Sequence, residues 1–199
     1  MIKTLSNGLL SSNVHVFWDE DTKEAMIIDC GVPTKSLIEI VNQNSLEVKY
    51  IILTHGHYDH AHFVNDYHIA FPLAKVVCHE NEIKVLTDED ANVSSLVGIP
   101  ETYVCDYTTV NEGDILSVGR YDFAVLHTPG HTPGCICLYS EKEKLMFTGD
   151  VLFDNGIGRT DFKYGNISDM RSSLSRLLSM DGEILFYPGH YGCSKLGYQ

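Results

Sequence analysis

Short apolar runs closed by Gly, Pro, Asp or Asn recur along the chain, most of them too short for helices and long enough for strands. Residues 13–18 and 24–30 read as two strands joined across the acidic turn Asp19-Glu20-Asp21, so a β-hairpin opens the fold. Residues 33–44 begin with Pro33 and carry Leu37, Ile38, Ile40 and Val41 at helical spacing, which predicts an amphipathic helix. Residues 49–53 return as a strand, and strand, helix and strand together form a parallel crossover unit. Residues 61–70 read as a helix, 75–78 as a short strand and 80–86 as a short helix. The stretch 87–109, rich in Asn, Ser, Asp and Tyr, predicts a long loop with helical turns. A run of strands follows at 115–118, 121–126, 134–139 and 145–148, with the charged stretch Glu141-Lys142-Glu143-Lys144 as a hairpin turn. Residues 170–180 form a helix with Leu174, Leu177 and Leu178 inward, and 184–187 is the last strand. There is no internal repeat, low-complexity segment or linker, so residues 1–199 read as one α/β domain.

Composition changes this picture little. At 44% hydrophobic and 21% charged residues the chain is neither disordered nor fibrous, and its length supports a core without disulfides. The six cysteines lack C-x-x-C spacing and read as reduced core thiols, with Cys135 and Cys137 on one strand face. The N-terminus has no apolar run of signal-peptide length and no segment reaches membrane-spanning length, so the expectation is a cytoplasmic protein with no membrane partner. A formal charge of -13, with Lys and Arg dispersed, argues against nucleic-acid partners.

The chemistry is concentrated at strand ends. His55-Gly56-His57-Tyr58-Asp59-His60 puts four metal-ligand side chains in six residues after the apolar run Tyr50-Ile51-Ile52-Leu53. His55 and His57 point one way while Asp59 and His60 lie further on, so one loop can serve two adjacent metal positions. Three more punctuated segments follow strands: His127-Thr128-Pro129-Gly130-His131-Thr132-Pro133-Gly134, Thr148-Gly149-Asp150 and Tyr187-Pro188-Gly189-His190. Singly, each is an ordinary turn with a polar residue; together they place a ligand type at the end of strand after strand. A cluster of imidazoles with two carboxylates suits zinc, iron or manganese rather than calcium or magnesium.

These residues resemble the metallo-β-lactamase-fold superfamily: H-x-H-x-D-H, then the Pro-Gly-His-Thr-Pro-Gly histidine, a Gly-Asp aspartate and a Pro-Gly-His histidine, over nearly the whole chain. The resemblance implies a four-layer αββα sandwich. It also implies one metal on His55, His57 and His131 and a second on Asp59, His60 and His190, with Asp150 bridging. Asp29 would orient the His55 loop. Within the superfamily, Gly158-Arg159-Thr160-Asp161 resembles the short glyoxalase II-like proteins, relatives of hydroxyacylglutathione hydrolase. The expected activity is therefore hydrolysis of a small-molecule thioester by two divalent ions, zinc first, with Asp59 also orienting the nucleophilic water. The C-terminal helical domain of full-length glyoxalase II is expected to be missing, and glutathione recognition by its basic residues is not carried over. Arg159 either holds a substrate carboxylate or pairs with Asp161 or Asp154, the structural pair being favoured. Tyr191 and Tyr164 are candidates for the mouth of the site, with packing favoured for both and for Tyr58. His127 is a candidate to support the metal ligands; His15, His62, His68 and His79 read as surface or satisfied core residues. Alternatives are a mononuclear iron persulfide dioxygenase, which shares the Gly-Arg-Thr-Asp-Phe segment, a lactonase, and a non-catalytic metal-stabilised binding protein.

Overall fold

Side-chain alternation along the strands splits the apolar residues into three cores, and the three cores define the layers. The computed structural model describes residues 1–199. In β3 (Glu24–Ile28), Met26 and Ile28 face one core while Ala25 and Ile27 face another. In β5 (Lys75–His79), Val77 and the pair Val76 and Cys78 divide the same way. Strands buried on both faces need cover on both, which explains their near-continuous apolar character.

The first sheet has the order β1 (Ile2–Leu5), β2 (Val14–Trp18), β3, β4 (Glu47–Ile52), β5, β6 (Tyr107–Val110). Its first three strands are antiparallel and the rest join in parallel, the β3–β4 connection passing through helix α1 (Thr34–Asn44) as the crossover predicts. The second sheet runs β14 (Ser194–Lys195), β13 (Leu185–Pro188), β10 (Leu145–Gly149), β9 (Ile136–Ser140), β8 (Tyr121–His127), β7 (Ile115–Val118). Between the sheets lie Phe17, Met26, Ile28 and Val77 from the first and Phe123, Val125, Leu138 and Phe147 from the second. The outer face of the first sheet packs on Leu37 and Val41 of α1 and on Val64 and Tyr67 of α3 (Val64–Ala70). That of the second packs on Met170 and Leu177 of α5 (Ile167–Leu178). Helix, sheet, sheet, helix is the expected four-layer sandwich.

Several expectations are corrected. The 13–18/24–30 hairpin forms, but β1 precedes it along the edge of the sheet. The 87–109 loop ends in β6, an edge strand of which only Val110 is buried. The predicted 61–70 helix is two pieces, α2 (Tyr58–Ala61) and α3, broken at Phe63 (φ −95°, ψ 14°). That break lets α2 present Asp59 and His60 while α3 packs on the sheet. The 80–86 helix is one 3-10 turn followed by α4 (Ile83–Leu86). A small ribbon, β11 (Leu152–Phe153) with β12 (Gly156–Ile157), follows β10. Cys30, Cys78, Cys135 and Cys137 are buried, but Cys193 is exposed, in the loop that follows His190. No helix is long and apolar enough to cross a membrane.

Candidate metal centre

Four strand ends meet at one rim of the sandwich. β4 leads through Leu53 and Thr54 into His55 and His57, and α2 adds Asp59 and His60. From the second sheet, β8 leads to His131, β10 to Asp150 and β13 to His190. The β10–β13 register shifts between Phe147 and Gly149, and this irregularity sets Asp150 beside the Pro188-Gly189-His190 turn. Donor atoms of His55, His57 and His131 lie within 4.8 Å of one another, as do those of Asp59, His60 and His190 and those of His55, His60 and Asp150. His57 Nδ1 is 2.8 Å from His131 Nε2, and His60 Nε2 is 3.3 Å from His190 Nε2. Asp150 lies between the sets: Oδ2 is 3.6 Å from His131 Nε2 and 3.4 Å from His190 Nε2, and Oδ1 is 3.4 Å from His60 Nε2. The cluster is therefore suited to metal ions, with Asp150 where a shared ligand would stand.

Three of the rings are turned by a partner on the far side. His131 Nδ1 donates to the Arg159 carbonyl at 2.6 Å, His60 Nδ1 donates to Asp29 Oδ2 at 2.9 Å, and His190 Nδ1 donates to the Ser11 carbonyl at 3.3 Å. Each leaves Nε2 directed at the cluster, the arrangement that fixes tautomer and orientation in metal-binding histidines. His55 Nδ1 pairs with Thr54 Oγ1 at 3.2 Å, and His55 Nε2, His57 Nε2 and Asp150 Oδ1 are buried with no hydrogen-bond partner. Polar atoms orphaned in this way are rare in native interiors. A cation is the natural partner for a set of lone pairs in which nitrogen faces nitrogen at 2.8 Å.

Electrostatics divides the two sets. Burial pushes His55, His57 and His131 below the usual histidine range, so they stand as neutral imidazoles with free lone pairs. Burial acts the same way on His60 and His190 but is overcome by the neighbouring carboxylates, chiefly Asp59 and Asp150, which raise both; His190 reaches about 9. Burial would raise Asp59 and Asp150, yet the imidazoles beside them hold both below the usual carboxylate range. The pair of anions is thus kept charged in the interior.

All seven expected ligand residues converge. Asp29 stands in the left-handed region (φ 65°), where its Oδ1 accepts from Thr54 N–H at 2.8 Å and from the Thr54 hydroxyl at 3.0 Å, while Oδ2 accepts from His60. It therefore ties the start of the His55 loop to α2. Arg159 forks onto Asp161 (2.7 Å from both Nε and Nη2) at the surface, and its contribution to the cluster comes from its backbone carbonyl. Tyr191 lines the cleft and is exposed rather than packed, whereas Tyr58 is packed in the core. Tyr164 lies apart from the cleft beneath Lys84 and Lys163. His127 touches no ligand side chain; its ring stacks on His79, with centroids 4.0 Å apart, and its Nε2 donates to the Pro133 carbonyl at 2.9 Å, in the loop that carries His131. His15 is a satisfied core residue, His62 pairs with Glu101, and His68 is half-buried with Nδ1 unpartnered.

Sequence reasoning missed Glu82. It is fully buried, its Oε1 accepts from Gly56 N–H at 2.8 Å, and its Oε2 accepts from the Thr132 hydroxyl at 2.9 Å. One carboxyl thus joins the loop of His55 and His57 to the loop of His131. Gly134 permits the approach, since a Cβ there would lie 2.5 Å from Glu82 Oε2. Burial pushes the Glu82 carboxyl up to about 7 despite these donors. Gly189 has a similar use: a Cβ there would meet Asp150 Oδ1 and stand 2.7 Å from His60 Cε1. The cluster opens into a cleft of about 410 Å³ lined by eight apolar residues and by His57, Asp59, His131, Asp150, Gly158, Arg159 and His190.

The family model of the metallo-beta-lactamase superfamily matches residues 7–190. The hydroxyacylglutathione hydrolase GloC of Haemophilus influenzae is 35% identical over 190 residues, covering 94% of this chain and 89% of that protein. The crystal structure of the B3 metallo-beta-lactamase BLEG-1 superposes with a TM-score of 0.91 at 35% identity, covering 100% of this chain and 95% of its own. TTHA1623 in a di-iron-bound form superposes with a TM-score of 0.85 at 28% identity, covering 98% and 96%.

Proposed function

The chain belongs to the metallo-beta-lactamase superfamily, and from that premise we propose that it is a metal-dependent hydrolase of glutathione or related acyl thioesters, working with two divalent ions. The observation that carries this reading is the presence of two sets of ligand side chains with Asp150 between them. His55, His57 and His131 would hold one ion, Asp59, His60 and His190 the other, and Asp150 both. Zinc is the first choice for this mixed nitrogen and oxygen set; iron or manganese are the alternatives, and the di-iron relative supports iron. When bound, two such ions supply a hydroxide at neutral pH and polarise a carbonyl. The protein's part is positioning. Asp59 stays ionised beside His60 and His190, so it can accept a hydrogen bond from the attacking water and orient it. The rings held by Asp29, Arg159 O and Ser11 O keep their donor atoms in place through turnover. A thiolate leaves without a protein acid because thiol pKa values lie at about 8.5. That suits a cleft whose only carboxylates, Asp59 and Asp150, belong to the cluster.

The test is hydrolysis of S-lactoylglutathione and a panel of acyl thioesters by protein loaded with zinc, iron or manganese at measured stoichiometry. Turnover that is lost in His57→Ala, with the fold retained by circular dichroism, supports the reading. Inactivity across the panel sinks it, and oxygen uptake with glutathione persulfide on iron-loaded protein would replace it with the mononuclear dioxygenase. Metal binding with neither activity would leave a metal-stabilised binding protein.

A further inference from the structure

The mouth of the cleft is built from exposed apolar side chains. Leu10, Leu96, Ile157 and Tyr191 line it while remaining 63%, 72%, 45% and 72% exposed. They are continuous with Val93 and Phe162 deeper in the wall. An exposed apolar group that rims a polar centre marks a binding surface more often than chance exposure does.

Backbone conformation supplies a second, independent observation. Leu10, Val93 and Tyr191 have φ of 51°, 61° and 66°, in the left-handed region that disfavours side chains and is an outlier for a β-branched residue. Hydrogen bonds hold two of them there: Ser94 N–H donates to Asn92 Oδ1 at 2.9 Å across Val93, and Asn13 Nδ2 donates to the Tyr191 carbonyl at 2.8 Å. Strain of this kind persists where the surroundings over-determine it, and it gathers at ligand sites. Here it turns three apolar side chains into one cleft.

Charge supplies the third. Arg159 is the only Lys or Arg in the lining, and its guanidinium is engaged by the Asp161 fork and lies over the Phe162 ring at 4.0 Å. A glutathione thioester brings two carboxylates, for which the mouth has no free cation, to a chain of net charge -13. Resting on the thioester hydrolase reading above, we propose that the site selects uncharged thioesters with an apolar acyl chain, the carbonyl at the metal cluster and the chain along Leu10, Leu96, Ile157 and Tyr191.

The experiment compares acetyl and hexanoyl thioesters of N-acetylcysteamine with S-lactoylglutathione on zinc-loaded protein. Partial burial of a methylene is worth roughly twofold, so kcat/KM for hexanoyl should exceed that for acetyl by about tenfold or more, and that for S-lactoylglutathione by a similar factor. Leu96→Glu should collapse the hexanoyl-to-acetyl ratio. Leu10→Gly should lower it too while the melting temperature holds or rises, because glycine relieves the left-handed backbone. Binding of the inert S-hexyl thioether of N-acetylcysteamine, set against S-hexylglutathione, separates the two ideas. Turnover with S-lactoylglutathione preferred and no dependence on chain length overturns the selectivity and leaves the hydrolase reading standing. No turnover with any thioester, but tighter binding of the uncharged hexyl probe, overturns the hydrolase reading and supports the apolar site. Neither turnover nor preferential binding overturns both.

Discussion

Glu82 and His15 show how single buried groups serve the rim. Because the Glu82 carboxyl accepts from both Gly56 N–H and the Thr132 hydroxyl, Glu82→Gln keeps an oxygen for Gly56 only if the Thr132 hydroxyl turns to accept from the amide, and the charge-assisted bonds are lost in either orientation. Glu82→Gln should therefore weaken the His55, His57 and His131 site by about 10–100-fold, the range for residues that support metal ligands. The Asp59, His60 and His190 site should change far less. Competition with a chromophoric chelator and the visible spectrum of the cobalt-loaded protein distinguish the two sites, and equal weakening of both would refute the assignment. His15 is buried, accepts from the Thr4 hydroxyl at 3.0 Å and donates from Nε2 to the Pro188 carbonyl at 3.0 Å. Burial drives its pKa down to about 4, against the opposing pull of the Pro188 bond and Asp29. The unfolded chain then binds the proton more readily than the folded one, so this contribution is present above about pH 6.5 and is lost as pH falls toward 4. Its ceiling is about 3 kcal/mol. Glu82, raised to about 7, acts with the opposite sign in an overlapping window. The measurement is therefore the pH dependence of the difference in urea stability between metal-free wild type and His15→Leu, which should shrink from pH 7 to pH 4.5. A constant difference would count against a neutral buried His15.

Helix α5 is the element that carries the His131 loop from outside. Asn166 caps it by accepting from Ser168 N–H at 2.8 Å and Asp169 N–H at 3.3 Å, while Asn166 N–H donates to the Gly130 carbonyl and Ser173 Oγ donates to the Pro129 carbonyl. Asn166→Ala should cost about 1 kcal/mol in urea unfolding, because the cap goes while the backbone bond to Gly130 stays. No measurable loss would show that the cap is idle. α5 and α1 were readable from helical spacing, and the inner strands from runs such as Tyr50-Ile51-Ile52-Leu53, since both faces of those strands are buried. The ligands were readable because proline and glycine punctuate each strand end. What escaped lacks a local signal. β1 and β6 are four-residue edge strands with little apolar demand. The break at Phe63 depends on α2 and α3 packing in different directions. Glu82 meets Gly56 and Thr132 across 26 and 50 residues of chain, and the periodicity of a short helix says nothing about either.

At the scale of the whole molecule, the cluster joins the two sheets. His55, His57, Asp59 and His60 come from the first sheet's rim, and His131, Asp150 and His190 from the second's. The inter-sheet core lies behind them, and hydrogen bonds cross the rim: Asn13 N–H donates to Gly189 O, Asn13 Nδ2 to Pro188 O and Tyr191 O, His15 Nε2 to Pro188 O, His190 Nδ1 to Ser11 O and Ile136 N–H to Thr54 O, while the Gly56 N–H is joined to the Thr132 hydroxyl through Glu82. An ion shared across this seam binds the folded chain and not the unfolded one, so its binding energy adds to folding. At a free metal concentration of 100 times Kd each occupied site contributes about 2.7 kcal/mol. For a chain of this size that corresponds to roughly 5–11 °C in melting temperature per site. On the two-ion proposal, chelation should therefore lower the calorimetric melting temperature in two separable steps, and readdition of zinc should restore it. The step that empties the Asp59, His60 and His190 site should be the more sensitive to acid, because binding there must displace protons that Asp59 and Asp150 help to hold. If protein of verified metal content melts at the same temperature before and after chelation, the ions do not tie the sheets together, and the stability of the rim belongs to the apolar core and the hydrogen bonds that cross the seam.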